Sequence, residues 1–150
     1  MATATFTLFD EFIRYLGDGT IDLDSDTFKW ILTNTAPVAA TDTLLADISQ
    51  ISGSNGYTTD GDAATSVTWA ETGAGTGIWQ FSTADQTWTA VGGVLGGGSF
   101  RYVVLYDATP IIPLGPLVGY LDHVTSISLN PDTSFTVDVG SAGLIQVQEA

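Results

Sequence analysis

Three aspartates at alternate positions, Asp22, Asp24 and Asp26 in the stretch GDGTIDLDSDTFKWILTN (residues 17–34), are the group in this chain that most suggests chemistry. Oxygen ligands so spaced open the calcium loop of an EF-hand, which also needs a glycine at its sixth position and a bidentate glutamate at its twelfth. Counted from Asp22, those two places hold Thr27 and Thr33. The exit helix is missing too, because Phe28, Trp30 and Leu32 alternate with Thr27, Lys29 and Ile31, the period of a strand. The stretch therefore reads as a solvated turn leading into a strand, and no metal site is expected.

Other catalytic chemistry fares no better. His123 is the only histidine, so zinc sites built on two or more histidines are out of reach, and no serine sits in a G-x-S-x-G setting. Glycoside hydrolysis would need two placed carboxyl groups. The three glutamates, Glu11, Glu71 and Glu149, show no local pattern of a buried acid, and the 14 aspartates keep turn-like, polar company. The glycine cluster VGGVLGGGS lacks the lysine and the helix start of a phosphate loop. Trp69, Trp79 and Trp88 could line a sugar-binding face, although filling a core is the more ordinary role for tryptophans in neighbouring strands. No catalytic residue, cofactor or metal ligand is assigned.

The elements that would position any such groups are mostly strands. Apolar and polar residues alternate over 27–34, 65–71, 77–82, 86–91, 99–107, 117–121, 124–129, 134–139 and 143–148, with Gly, Pro, Asn and Asp between them. In VTSISLNPDTSFTVDVG, Ile127, Leu129, Phe135, Val137 and Val139 share one face and Ser126, Ser128, Thr136 and Asp138 the other, which predicts an antiparallel hairpin. Before these, TFTLFDEFIRYLGDG places Phe6, Phe9, Ile13 and Leu16 at helical steps ahead of Gly17, and TDTLLADISQI predicts a helical turn with Leu44, Leu45, Ile48 and Ile51 on one side. The expected fold is mainly β, an antiparallel sandwich or jelly roll, as a single domain over 1–150 with an N-terminal arm and short helix at about 1–17.

Charge narrows the partners. Seventeen acidic residues face three basic ones, Arg14, Lys29 and Arg101, for a net charge of −14 in 150 residues. One-to-one ion pairs can use only three cations, so stability must come from apolar packing and backbone hydrogen bonds. Nucleic-acid binding is disfavoured, since phosphates call for clustered Lys and Arg. A hydrophobic share of 44% and four Trp, five Tyr and seven Phe argue against disorder. With no cysteine there is no disulfide or thiolate chemistry. No run of 18 apolar residues occurs, and MATATFTLFDEF lacks the basic start of a secretory signal, so a soluble protein without a membrane partner is expected.

One segment resists a solvated reading. In TPIIPLGPLVGY (109–120), Pro110, Pro113 and Pro116 rule out a regular central strand before Leu117, yet Ile111, Ile112 and Leu114 are poor loop residues. Either they fold back over the end of the chain's own core, the more ordinary outcome, or they contact a neighbouring subunit or the surface of a larger assembly.

Taken end to end, the chain resembles the capsid decoration, or cement, proteins of tailed bacteriophages and their close virion relatives. The resemblance is carried by FDEFIRYLGDGTIDLDSDTFKWILTNTAPV, DISQISGSNGYT, FRYVVLYD and the closing SAGLIQVQ, and spans nearly all 150 residues. It implies a non-enzymatic β-sandwich or jelly-roll subunit, commonly a homotrimer, assembled in the host cytoplasm and placed on the outer surface of the virion. There it would bind the major capsid protein and bridge capsomers. A phage tail or receptor-binding carbohydrate module is the alternative, and a β-sandwich hydrolase a more distant one.

Overall fold

The centre of the molecule is built from two of the apolar strand-forming runs of the sequence. In the computed structural model, which describes residues 4–148, FKWILT forms β2 (Phe28–Thr33) and FRYVVLYD forms β7 (Phe100–Asp107), paired antiparallel from Phe28 opposite Asp107 to Thr33 opposite Tyr102. Side chains of both parities are buried, so each face of this pair needs a cover. β8 (Leu117–Ile127) flanks β7, β1 (Phe6–Leu8) flanks β8, and the two-residue β3 (Asp62–Ala63) flanks β2. The five-stranded sheet thus runs β1-β8-β7-β2-β3, with every pairing antiparallel.

One face carries Phe28, Trp30, Leu32, Val103 and Leu105 into the main core. There it meets α1 (Asp10–Gly17) through Phe12 and Tyr15, a three-stranded sheet of β10 (Ile145–Gln148), β5 (Ile78–Ser82) and β4 (Thr68–Glu71), and a ribbon of β6 (Gln86–Thr89) with β9 (Ser134–Val137). The other face, with Ile31, Val104, Tyr106 and Leu117, is closed by Phe9, Ala39, Leu45 and Ile48. The fold is mainly β and antiparallel, with one short helix near the N-terminus among the described residues, as the sequence predicts.

Beyond the short β3, the buried edge of β2 is satisfied by other means. The Leu32 amide donates to the Tyr57 hydroxyl at 3.2 Å, and the Leu32 carbonyl accepts from the Ile51 amide at 3.0 Å. The Tyr57 hydroxyl in turn donates to Gln50 Oε1 at 2.9 Å.

Four expectations are corrected. The 124–129/134–139 hairpin does not form: the NPDT turn is present, and the faces of its residues are as expected, but its arms diverge. Ile127 stays in register with Phe100, while β9 pairs with β6, where Trp88 stacks on Phe135 and the hydroxyls of Thr87 and Thr136, and of Thr89 and Ser134, meet at 2.8 Å. Cross-strand side-chain fit, invisible in a single strand, chose the partner. The separate strands 117–121 and 124–129 are one strand broken by a bulge at Val124 (φ 73°), across which Asp122 forks onto Arg101 with two bonds of 2.7 Å.

The helix also begins later than its apolar spacing suggests. Phe6 lies in β1 and Phe9 packs on the opposite face of the sheet, so the buried helical face is Phe12 and Tyr15, with Ile13 61% exposed. Segment 41–51 makes only a 3-10 turn at Leu45–Asp47 and crosses the end of the sheet. Leu44 and Ile51 face one core and Leu45 and Ile48 the other.

Gly119 shows how close the packing is. Any Cβ there would sit 2.6 Å from the Phe6 ring and 2.7 Å from the Thr7 carbonyl oxygen, on the side where Phe6 meets Trp30 edge-on. Gly119→Ala should cost about 1–3 kcal/mol by urea denaturation. Gly17→Ala, at the end of α1 in open space, should instead add up to about 1 kcal/mol. Equal effects at the two sites would contradict this packing.

Candidate interaction surface

The turn that joins β7 to β8 is pinned at its base and bare at its tip. The Asp107 amide donates to the Pro116 carbonyl at 2.9 Å, the Leu45 amide to the Gly115 carbonyl at 2.7 Å, and the Leu117 amide to the Thr43 carbonyl at 3.0 Å. On the other side the Ala108 amide bonds the Thr27 carbonyl at 2.8 Å, and the Thr27 amide bonds Thr109 Oγ1 at 2.7 Å. A bridge between Ile111 and Leu114 closes the tip. There Ile111 is 81%, Ile112 90% and Leu114 65% exposed. Isolated exposed apolar residues are ordinary, but three within four positions on a rigidly based turn are not.

Beside the tip lies an open, polar cleft of about 510 Å³, with Ile112 on one wall and Asp18, Asp22 and Asp26 on the other. These acids belong to the turn-rich approach to β2. Asp22 Oδ1 accepts the Asp24 amide at 2.9 Å, Asp26 Oδ2 accepts the Asp22 amide at 2.8 Å, and Asp18 Oδ1 accepts the Thr20 amide at 3.0 Å. The hydrogen bond from Thr20 holds the Asp18 carboxyl below the usual carboxylate range, and the Asp24 amide does the same for Asp22. The alternating aspartates therefore close a turn on themselves. Among the described residues no three His, Cys, Asp or Glu side chains converge as a metal site.

The residues weighed for catalysis are scattered. His123 is exposed on the β8 bulge, edge-on to Phe135 at 5.7 Å. Glu11 pairs with Arg14, Glu71 closes a turn by accepting the Gly75 and Gly77 amides at 3.2 and 2.7 Å, and Glu149 lies outside the described residues. Trp88 is in the core. Trp69 is half-buried, and Trp79, 44% exposed, lies 5.8 Å from it at the end of the three-stranded sheet, near an apolar hollow of about 390 Å³ lined by Leu16, Leu23 and Val147 among others.

Sequence reasoning passed over Asp107. The last residue of β7 is fully buried, and its Oδ1 accepts the Thr109 amide at 2.9 Å while Oδ2 has no partner. Burial pushes its carboxyl up to about 8, the neighbouring Asp26 adds to this, and the Thr109 amide opposes it. The available signal was an acid ending an otherwise apolar strand run, FRYVVLYD.

Comparison of the chain with protein-family models, with curated proteins and with solved structures finds no match in any of the three.

Because the oxygens of Asp22, Asp18 and Asp26 already take backbone amides, the fold should not depend on calcium. Melting temperatures in chelator and in millimolar calcium should agree within about 2 °C, whereas a large rise with calcium would show a ligand held only by the native state.

Proposed function

We propose that this chain is a non-enzymatic virion structural protein, a decoration or cement subunit bound to the outside of a tailed-phage head. In this reading it stabilises contacts between capsomers of the major capsid protein. The observation that carries the docking part of the proposal is the turn tip, where Ile111, Ile112 and Leu114 stand in solvent on a base held by backbone hydrogen bonds from two sides. A rigid apolar protrusion loses little conformational entropy on docking and gains from every side chain it buries. The phage part rests on the sequence resemblance. Charge is consistent with it, since a subunit of −14 is not drawn onto packaged DNA. Homotrimers are proposed on the same resemblance, and screening by salt should favour association of such acidic subunits.

A second reading has its own observation. Trp79 and Trp69 form an open aromatic pair, which suits a carbohydrate-binding domain of a phage tail or receptor-binding protein. A glycan array with wild type and Trp79→Ala separates the two: saturable binding lost in the variant would favour the tail.

The test of docking is Ile112→Asp. A side chain 90% exposed contributes little to the fold, so its melting temperature should stay within about 2 °C of wild type. Co-sedimentation with undecorated phage heads, or trimer formation by light scattering, should fall at least tenfold because the contact would have to bury a charge. Unchanged sedimentation and assembly would remove the tip from any interface.

A further inference from the structure

The base of the same turn contains an acid that no cation satisfies. Asp107 is sealed from solvent with Oδ2 unpartnered, and Asp26 lies beside it, next in sequence to the Thr27 whose amide and carbonyl bond Thr109 and Ala108. Two neighbouring carboxylates, one of them dry, cannot both be ionised without a large penalty. Something must stand between them. A calcium ion would want about 6–8 oxygens, and no group of three or more acidic or metal-type side chains gathers among the described residues. A proton needs only the two.

We propose that Asp26 and Asp107 share one proton, which latches the 109–116 turn to the 22–27 loop, and that loss of this proton frees the turn. The geometry links the pair directly to the turn. Asp107 Oδ1 holds the Thr109 amide at 2.9 Å, Thr109 Oγ1 holds the Thr27 amide at 2.7 Å, and the Asp107 amide reaches Pro116 at 2.9 Å. Repulsion between two charged carboxylates would therefore act on both ends of the loop that carries Ile111, Ile112 and Leu114.

The surrounding charges do not offset it. From the loop before β2 come Asp26 itself and Asp22, whose amide Asp26 binds. From β2 comes Lys29, in register with Tyr106 and Ala63 and without an ion-pair partner among the described residues. Thr109 to Tyr120 bring no charged residue. Arg101, on the same strand, is committed to Asp122.

The folded carboxyl stays protonated where the unfolded one has ionised, so its contribution to stability is complete below the ordinary aspartate range. It declines as pH rises and is gone once pH passes about 8. That the latch governs docking rests on the reading of the tip as a contact; the latch itself does not.

The experiment uses the full chain as wild type, Asp107→Asn, Asp26→Asn and Ile112→Asp, from pH 5 to 9.5. In wild type the carboxyl carbon of Asp107 should titrate far above the normal aspartate range by NMR. Protection of the Thr109 amide, corrected for intrinsic exchange, should fall at least tenfold between pH 6.5 and 9. Asp107→Asn, neutral at every pH, should abolish that fall and flatten the dependence of melting temperature on pH. A carboxyl carbon titrating below pH 5, or an unchanged profile in Asp107→Asn, would overturn the proposal. So would a calcium-induced rise in melting temperature at pH 9 that requires Asp107, since a cation would then bridge the pair. Should Asp107→Asn fail to fold, Asp26→Asn and the wild-type carbon titration distinguish the same outcomes. Ile112→Asp should keep the full pH profile, so loss of the docking reading and loss of the latch are separately visible.

Discussion

Everything in this fold depends on a pair of strands that cannot meet water on either side. Phe28, Trp30, Ile31, Leu32 and Thr33 of β2 and Val104, Leu105 and Asp107 of β7 are fully buried, and the pair is held by six consecutive cross-strand partners. A strand pair dry on both faces demands two covers, and the rest of the chain supplies them. The helix, the three-stranded sheet and the β6–β9 ribbon close one side, while Phe9 and the 39–48 segment close the other. At one end of the pair this demand meets a polar residue: the strand terminates in Asp107, where the cover ends and the 109–116 turn begins. Among the described residues, the most exposed large apolar side chains and the most deeply buried acid therefore lie within eight positions of one another.

The charge imbalance shapes the periphery by a related logic. With three cations for seventeen acids, carboxylates find partners in the backbone. Asp47 accepts the Thr43 and Leu44 amides, Glu71 those of Gly75 and Gly77, Asp42 that of Val38, Asp85 that of Val139 and Asp138 that of Gly140. These bonds hold the Asp47 and Glu71 carboxyls below the usual range. Their stabilisation is present above that range and is lost as pH falls through it, opposite in sign to Asp107. Solvent and salt screen exposed ion pairs, so Arg14 with Glu11 and Asp18 adds little, and the acids serve chiefly as turn formers on an apolar frame.

How much could be read from the sequence differs by element. Strands β2, β5 and β7 fall within the predicted ranges because alternating or continuous apolar residues bounded by Gly, Asp and Thr are local signals. The two-residue β3 leaves no such signal, and the apolar spacing misphases α1 because Phe6 and Phe9 happen to continue a helical period into an extended arm. For the candidate surface, the spacing of prolines and isoleucines in 109–116 marked an anomaly. It left open whether those side chains turn inward or outward, since a short apolar run suits either outcome.

By itself, then, the sequence determined a mainly β, antiparallel chain with a short N-terminal helix, three cations to set against its acids and no cysteine, because period, turn residues and charge count are properties of neighbours along the chain. Three matters were decided only in the folded structure. β9 lies against β6, not β8, with Trp88, Thr87 and Thr89 as the cross-strand partners of its side chains. Ile111, Ile112 and Leu114 stand outside because backbone bonds to Thr27, Thr43 and Leu45 hold their turn beyond the edge of the core. Asp107 alone among the aspartates is sealed, because the last pair of the central ladder, with Phe28, carries it under the cover of both loops. Each depends on which distant surfaces meet, and that is a property of packing rather than of any local run of residues.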